Sequence, residues 1–391
     1  MYPRKLCLLL KKHISKKQIS VITGMRRTGK TTILKQLLSD IPSENKIYID
    51  LERIDNRELF SEKNYDAVIY TLRQRGLDIK KKAYIALDEI QLMHNLPSVL
   101  KYLYDNYDIK FLVTGSSSYY LKNLFTESLA GRKKIFELYS LDFGEFLTFK
   151  EVSYVSENFL DKKFNPYEYE RLKKYYEEYI EYGGFPEVVL SDAPEDKKDL
   201  LLDIINSYID IDVKTLADFR NQDNLYKLIK MLAGRSCTRL DYSKLSKLVG
   251  ISRPTVHTYV DFFEKTYLIS RLSVLANNPD REIVKAQKIY FCDNGIMNVL
   301  FDTSSGVKFE NAIFTQLYQR GSLSYYSLKT GREIDFILNK DMALEAKESP
   351  ISSDLESLNK ISSQAGVKNF RLIGRRQVPN FDNYIWGGEI N

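Results

Sequence analysis

The sequence predicts an α/β protein that begins with a parallel sheet built around a phosphate-binding loop and ends in a mixed α+β region. Three observations predict this. The short β-branched run Ile19-Ser20-Val21-Ile22-Thr23 leads into Gly24-Met25-Arg26-Arg27-Thr28-Gly29-Lys30-Thr31, and the residues from Thr32 to Leu38 follow with helical apolar spacing. A second apolar run, Ala83 to Leu87, ends on the paired acids Asp88 and Glu89. Near the end, strand-like runs carry Asp335 and Glu345-Ala346-Lys347 after a helix-like segment that includes Glu310.

A chain of 391 residues is too long for one hydrophobic core, so about two or three domains are expected. With 43% hydrophobic and 28% charged residues it has ample core and a wet surface. No apolar run approaches the length of a membrane span, which argues against a membrane partner. Leu6-Cys7-Leu8-Leu9-Leu10 follows Arg4-Lys5 as a signal peptide would, but Lys11-Lys12 interrupts it, and the stretch reads as an amphipathic first helix. Cys7, Cys237 and Cys292 lack metal-ligand spacing and read as buried thiols in a reducing cytoplasm. The net charge of +6 permits nucleic-acid contact without demanding it.

The loop residues explain the chemistry expected of the first region, 1–150. Gly24 and Gly29 let backbone N–H groups gather around a phosphate at the positive end of the following helix. Lys30 then reaches the β- and γ-oxygens and the Thr31 hydroxyl ligates Mg²⁺; the expected nucleotide contacts are Gly24, Arg27, Thr28, Gly29, Lys30, Thr31 and Thr32. A buried parallel strand delivers its last residues to the phosphate crevice, so Asp88 is expected to hold Mg²⁺ and Glu89 to activate water. Lys46 to Leu51 reads as another strand, Tyr65 to Arg75 as helix, and Phe111 to Thr114 as a strand leading into Gly115-Ser116. Ser116 is the candidate for sensing the γ-phosphate, with Thr114 behind it; a helix N-cap before Tyr119 is the alternative.

With Leu129-Ala130-Gly131-Arg132 and Phe143 to Phe146 added to these motifs, the chain resembles prokaryotic AAA-type ATPases whose C-terminal half carries a winged helix and a restriction-endonuclease-like domain. The resemblance implies ATP as ligand, Mg²⁺ as cofactor and, in Arg132, an arginine finger, a surface role for Arg132 being the alternative. Arg26 and Arg27 are placed to reach phosphate or a partner subunit. The resemblance also implies a helical lid that includes Gly183-Gly184-Phe185-Pro186, although Gly-Gly before Pro suits a tight interhelical corner in any case.

In the middle region, 151–285, Leu201 to Leu216 reads as a helix, and Asp241 to Tyr259 has helix-turn-helix spacing, broken at Gly250 and restarted at Ser252 with Pro254 in the first turn. Thr266 to Leu272 would supply a wing. If it binds DNA, Arg253, Thr255 and His257 face the major groove while Lys244 and Lys247 meet phosphate; a packing or dimer module is the alternative. The last region, 286–391, resembles the PD-(D/E)xK nuclease core. By that resemblance Asp335 and Glu345 would bind Mg²⁺, Lys347 would assist hydroxide, and Glu310 would complete the shell; a retained scaffold without activity is the alternative. The whole reads as a cytoplasmic Mg²⁺-dependent ATPase acting with a module for double-stranded DNA, as a homo-oligomer or with a protein partner. An ATP-sensing switch that regulates a protein partner without processing DNA is the second reading.

Overall fold

The computed structural model describes residues 2–61, 64–116, 129–155, 158–213, 222–276 and 286–390. The chain divides into two compact units, Met1–Tyr139 with Ile211–Asp218 and Lys265–Tyr267, and the remainder.

In the first unit, α1 (Lys5–His13), β1 (Ile19–Thr23), α2 (Lys30–Asp40), β2 (Lys46–Asp50), α3 (Ile54–Ser61), α4 (Tyr65–Gln74), β3 (Ala83–Asp88), α5 (Leu96–Asn106), β4 (Ile109–Gly115) and β5 (Lys133–Glu137) follow in order. The five strands are all parallel and lie side by side as β2-β3-β4-β1-β5. β1 and β4 are buried throughout, which is why their sequences are nearly unbroken apolar runs rather than alternating ones. Strand alternation sends Val21, Leu87 and Val113 to a core shared with α3, α4 and α5. The intervening residues Ile22, Ala86 and Leu112 face the opposite core, with α1 and α2. Both faces being covered, the sheet opens only at its strand tips.

The second unit runs through α6 (Phe143–Phe149), α7 (Pro166–Tyr182), α8 (Pro186–Leu190), α9 (Pro194–Ser207), α10 (Gln222–Ala233), α11 (Tyr242–Val249), α12 (Arg253–Lys265), β6 (Ile269–Leu272), β7 (Lys288–Phe291), α13 (Asn294–Leu300), α14 (Ser305–Tyr318), β8 (Leu323–Ser327), β9 (Glu333–Leu338), β10 (Met342–Lys347), α15 (Ser352–Ala365), β11 (Asn369–Gly374) and β12 (Ile385–Trp386). Its main sheet has the order β12-β11-β10-β9-β8, antiparallel from β8 to β10 and parallel from β10 to β12. α15 supplies the crossover that a parallel pair requires. The boundaries expected at residues 150 and 285 do not coincide with this division. Phe143 and Phe146 of α6 bury against Tyr179 of α7, and Phe143 also meets Trp386 of β12, so α6 belongs to the second core, which takes in Leu272 and Val274 as well as Tyr290.

Gly183 ends α7 at φ 72°, and a side chain there would collide with Asp293, whose carboxylate accepts from the Gly184 N–H at 2.9 Å. The corner is structural, as its composition suggested. α9 ends at Ser207 and a π-helical turn, Tyr208–Val213, continues it; the rest of the helix expected to Leu216 lies outside the described residues. α11 and α12 form the expected helix pair, with Gly250 at φ 78° and the Ser252 hydroxyl accepting from the Thr255 N–H. Within the segment Thr266 to Leu272, Ile269–Leu272 forms β6, antiparallel to β7. His257 lies flat on Tyr242, ring centroids 3.5 Å apart, so its face is covered rather than presented. Arg253, Lys244 and Lys247 are exposed.

Candidate functional site

The loop between β1 and α2 is shaped by three residues with positive φ: Gly24 (159°), Arg27 (61°) and Gly29 (96°). A Cβ on Gly24 would lie 2.0 Å from the Leu138 carbonyl oxygen, so only glycine lets the loop pass β5 this closely. Gly29, left-handed, opens α2. Arg4, buried beneath the loop, donates from Nη1 to the Thr28 carbonyl at 2.9 Å and from Nη2 to the Tyr139 carbonyl at 2.8 Å. Thr28 Oγ1 turns inward to the Met25 carbonyl at 2.8 Å and so braces the loop. Lys30 is 4% exposed, and its ammonium donates to the carbonyls of Gly24 and Met25, both at 2.9 Å. Burial pushes its pKa down against the pull of Glu89, Asp212 and Asp88. Thr31 is partly buried in the first turn of α2, while Thr32 and Arg27 are exposed.

Parallel register sets the opposing wall. Ile22 pairs with Thr114 and Leu87 with Val113, so the tips of β1, β4 and β3 end together. Thr114 Oγ1 donates to Asp88 Oδ1 and accepts from the Glu89 N–H at 3.1 Å, and Tyr48 Oη donates to Asp88 Oδ2 at 2.8 Å. Asp88 is 3% exposed, and among the described residues no basic side chain pairs with it. A buried carboxylate bound only by hydroxyls keeps its negative charge available, which suits a hard cation such as Mg²⁺. Glu89 adopts φ 57°, an uncommon conformation for a residue with a Cβ and one that clusters at functional sites. Its Oε2 accepts from Gln91 Nε2, and the same amide donates to Ser116 Oγ at 2.8 Å. Ser116 Oγ donates onward to Asp212 Oδ1 at 3.0 Å; the helix it would cap lies outside the described residues.

Lys30, Asp88, Glu89 and Ser116 are thus all at the strand-tip end of one sheet. Arg132 is not. Its carbonyl accepts from the N–H of Ile19, the first residue of β1, so it stands at the end of the sheet away from the loop. There its guanidinium pairs with Asp105 at 2.8 and 3.0 Å. Arg132 is therefore not a finger for its own site. The sequence reading missed Gln91, Tyr48, Arg4 and the role of Asp212. Gln91 had a signal, two residues after the acid pair; Arg4 and Asp212 reach the site from distant positions and had none.

In the second unit, alternation puts Glu333 and Asp335 of β9 on one face with Glu345 and Lys347 of β10. The Ala346 N–H donates to Asp335 Oδ2 at 3.0 Å, and Lys347 Nζ lies 2.9 Å from Glu345 Oε1. Glu310 sits in the second turn of α14 and accepts from Tyr290 Oη at 2.8 Å. The four expected residues come together, but with a fifth that was not foreseen. Lys288 of β7 extends its ammonium to Glu333 at 2.7 Å, Glu310 at 3.4 Å and Asp335 at 3.6 Å. Among the described residues no three carboxylate, His or Cys side chains converge as metal ligands. Burial, then the neighbouring Asp335, raise both Glu310 and Glu345 to about 8. Glu345 Oε2 is buried and accepts no hydrogen bond among the described residues, an orphaned oxygen of the kind that Mg²⁺ would satisfy.

Residues 16–147, most of the first unit, match the family model described as AAA domain. Residues 173–306 match a domain of unknown function, DUF8612. An uncharacterized protein of Methanocaldococcus jannaschii, MJ1544, is 29% identical over 374 residues, 91% of this chain and 81% of that protein. An uncharacterized protein of Haemophilus influenzae is 27% identical over 339 residues, 82% of this chain and 80% of that protein. Among solved structures, Aeropyrum pernix ORC1 in complex with DNA is 11% identical with a TM-score of 0.33, spanning 77% of this chain and 92% of that one. The Thermotoga maritima RuvB Holliday junction branch migration motor is 16% identical with a TM-score of 0.32, spanning 68% and 87%. No helix among the described residues is long and apolar enough to cross a membrane.

Proposed function

We propose that the chain binds ATP at the Gly24–Thr31 loop and hydrolyses it with Mg²⁺. The observation that carries this is the alignment of a buried, carbonyl-held Lys30 with the Asp88–Glu89 tip and the Ser116 relay at one end of a parallel sheet. Thr31 and Asp88 would hold Mg²⁺, which when bound offsets phosphate charge. Lys30 leaves the two loop carbonyls for the phosphate oxygens. Glu89, oriented by Gln91, accepts a proton from the attacking water; the new O–P bond forms as the β–γ anhydride breaks, and ADP carries away the electron pair. Calorimetric titration of ATP with Mg²⁺, followed by phosphate release, tests the proposal. No heat with any purine triphosphate would end it.

The second unit is proposed to act on double-stranded DNA through α11 and α12, with exposed Arg253, Lys244 and Lys247 as the phosphate-facing charges. The Glu310, Asp335, Glu345 and Lys347 cluster is its candidate nuclease site, supported by the orphaned Glu345 oxygen. Duplex binding that weakens with added salt supports the DNA reading. Cutting that disappears in Asp335→Ala while ATP turnover is unchanged supports the nuclease. One observation weighs against the nuclease: Lys288 already balances part of the acidic cluster, and without cutting the alternative is an ATP-sensing switch that acts on a protein partner.

A further inference from the structure

The chain returns to the first unit at Ile211–Asp218 and brings a buried carboxylate with it. Asp212 is 3% exposed, and its two oxygens have separate partners. Oδ2 accepts from Arg26 Nε at 3.0 Å, and Oδ1 accepts from Ser116 Oγ at 3.0 Å. Ser116 accepts from Gln91, which also donates to Glu89, so polar contacts run unbroken from the loop guanidinium to the proposed base. A carboxylate in this place is at odds with a triphosphate, because like charges repel strongly where water is scarce. It also holds a guanidinium whose fork matches phosphate oxygens at least as well as a carboxylate. Arg26 keeps 17% exposure of its side chain against 4% for Asp212, so the arginine is the partner with room to leave.

We propose that Asp212 is a positioning residue whose ion pair with Arg26 is exchanged when ATP binds: the phosphates take the guanidinium, and the carboxylate stays on Ser116 and keeps Gln91 and Glu89 aligned. The proposal rests on the ATP reading and adds its regulation. In this arrangement Asp212 competes with the γ-phosphate for Arg26, and residues 211–213 register which of the two holds it. Because Ser116 and Glu89 share the network, the competition depends on the γ-phosphate more than on the β.

The test is a double-mutant cycle on the full chain, with ATP and ADP affinities measured by calorimetry in Mg²⁺ for wild type, Asp212→Asn, Arg26→Gln and the double variant. Asp212→Asn releases Arg26 and should tighten ATP about tenfold, with ADP changed by about twofold or less. In the Arg26→Gln background the same substitution should change ATP affinity little. Equal tightening in both backgrounds would mean plain charge repulsion and would overturn the exchange, as would no change in either. Melting without nucleotide shows which variants fold. If Asp212→Asn does not, Arg26→Gln alone decides: it should weaken ATP and spare ADP, and equal weakening of both overturns the proposal. Wild type that binds ATP but shows no coupling sinks only the exchange, whereas wild type that binds no triphosphate sinks the ATP reading and this inference with it.

Discussion

Lys30 and Lys288 are both buried ammonium groups, and they keep opposite company. Lys30 donates to two loop carbonyls, and burial moves its pKa down. Burial would lower Lys288 too, but Glu310, Asp335 and Glu333 outweigh it and raise the pKa instead. A cation held by neutral oxygens keeps most of its charge for a ligand; one held by carboxylates is already matched. The difference separates a site arranged to receive an anion from a site that has supplied its own cation, although both are strings of charged residues in the sequence.

The largest expected effect tests whether the first site works as chemistry. Glu89→Gln should retain ATP while turnover falls about 10²–10⁴-fold, measured by phosphate release; equal turnover removes the assigned base. Lys30→Met should weaken ATP by at least about a hundredfold, roughly 3 kcal/mol, in a calorimetric titration. Lys288→Met should involve a similar energy in a different measurement: ATP affinity unchanged, but stability lowered by about 3 kcal/mol, because removing one partner leaves buried carboxylates unpaired. Trp386, the single tryptophan and fully buried in the second unit, reports this as a shift in the urea midpoint. If Lys288→Met weakened ATP as much as Lys30→Met, the contrast would collapse.

The smallest effect is one of pH. Burial, then the neighbouring Asp335, raise Glu310 and Glu345 to about 8 in the folded chain against 4.5 for a free glutamate. The folded state therefore binds more protons than the unfolded state between these values. Their contribution is fully present below pH 4.5 and is lost as pH rises through 8. Urea unfolding followed by Trp386 should show stability falling between pH 5 and pH 8 in EDTA, with the loss reduced by millimolar Mg²⁺.

Much of the first sheet was legible because its constraints are local. β1 and β3 are apolar runs buried on both faces, and the loop glycines are required by conformation wherever the loop occurs. What was not legible depends on distance. Arg132 looked like a finger because nothing in its neighbourhood says that β5 starts at the far end of the sheet, whereas register does. Asp212 joins Arg26 across 186 positions. Lys288 and Tyr290 alternate along β7, so both can reach Glu310, but the sequence gives no sign that α14 packs over that strand. His257 had helix-turn-helix spacing in its favour, and Tyr242 lying under it could not be foreseen.

The support that Arg4 gives the loop has a practical consequence. The stretch matching the AAA family model begins at residue 16, so a protein cut back to that limit would keep every loop glycine and Lys30 yet lose the guanidinium joining Thr28 to Tyr139. Such a fragment would carry the whole motif on a slackened foundation, and its weaker grip on nucleotide would be the fault of the trimming rather than of the motif.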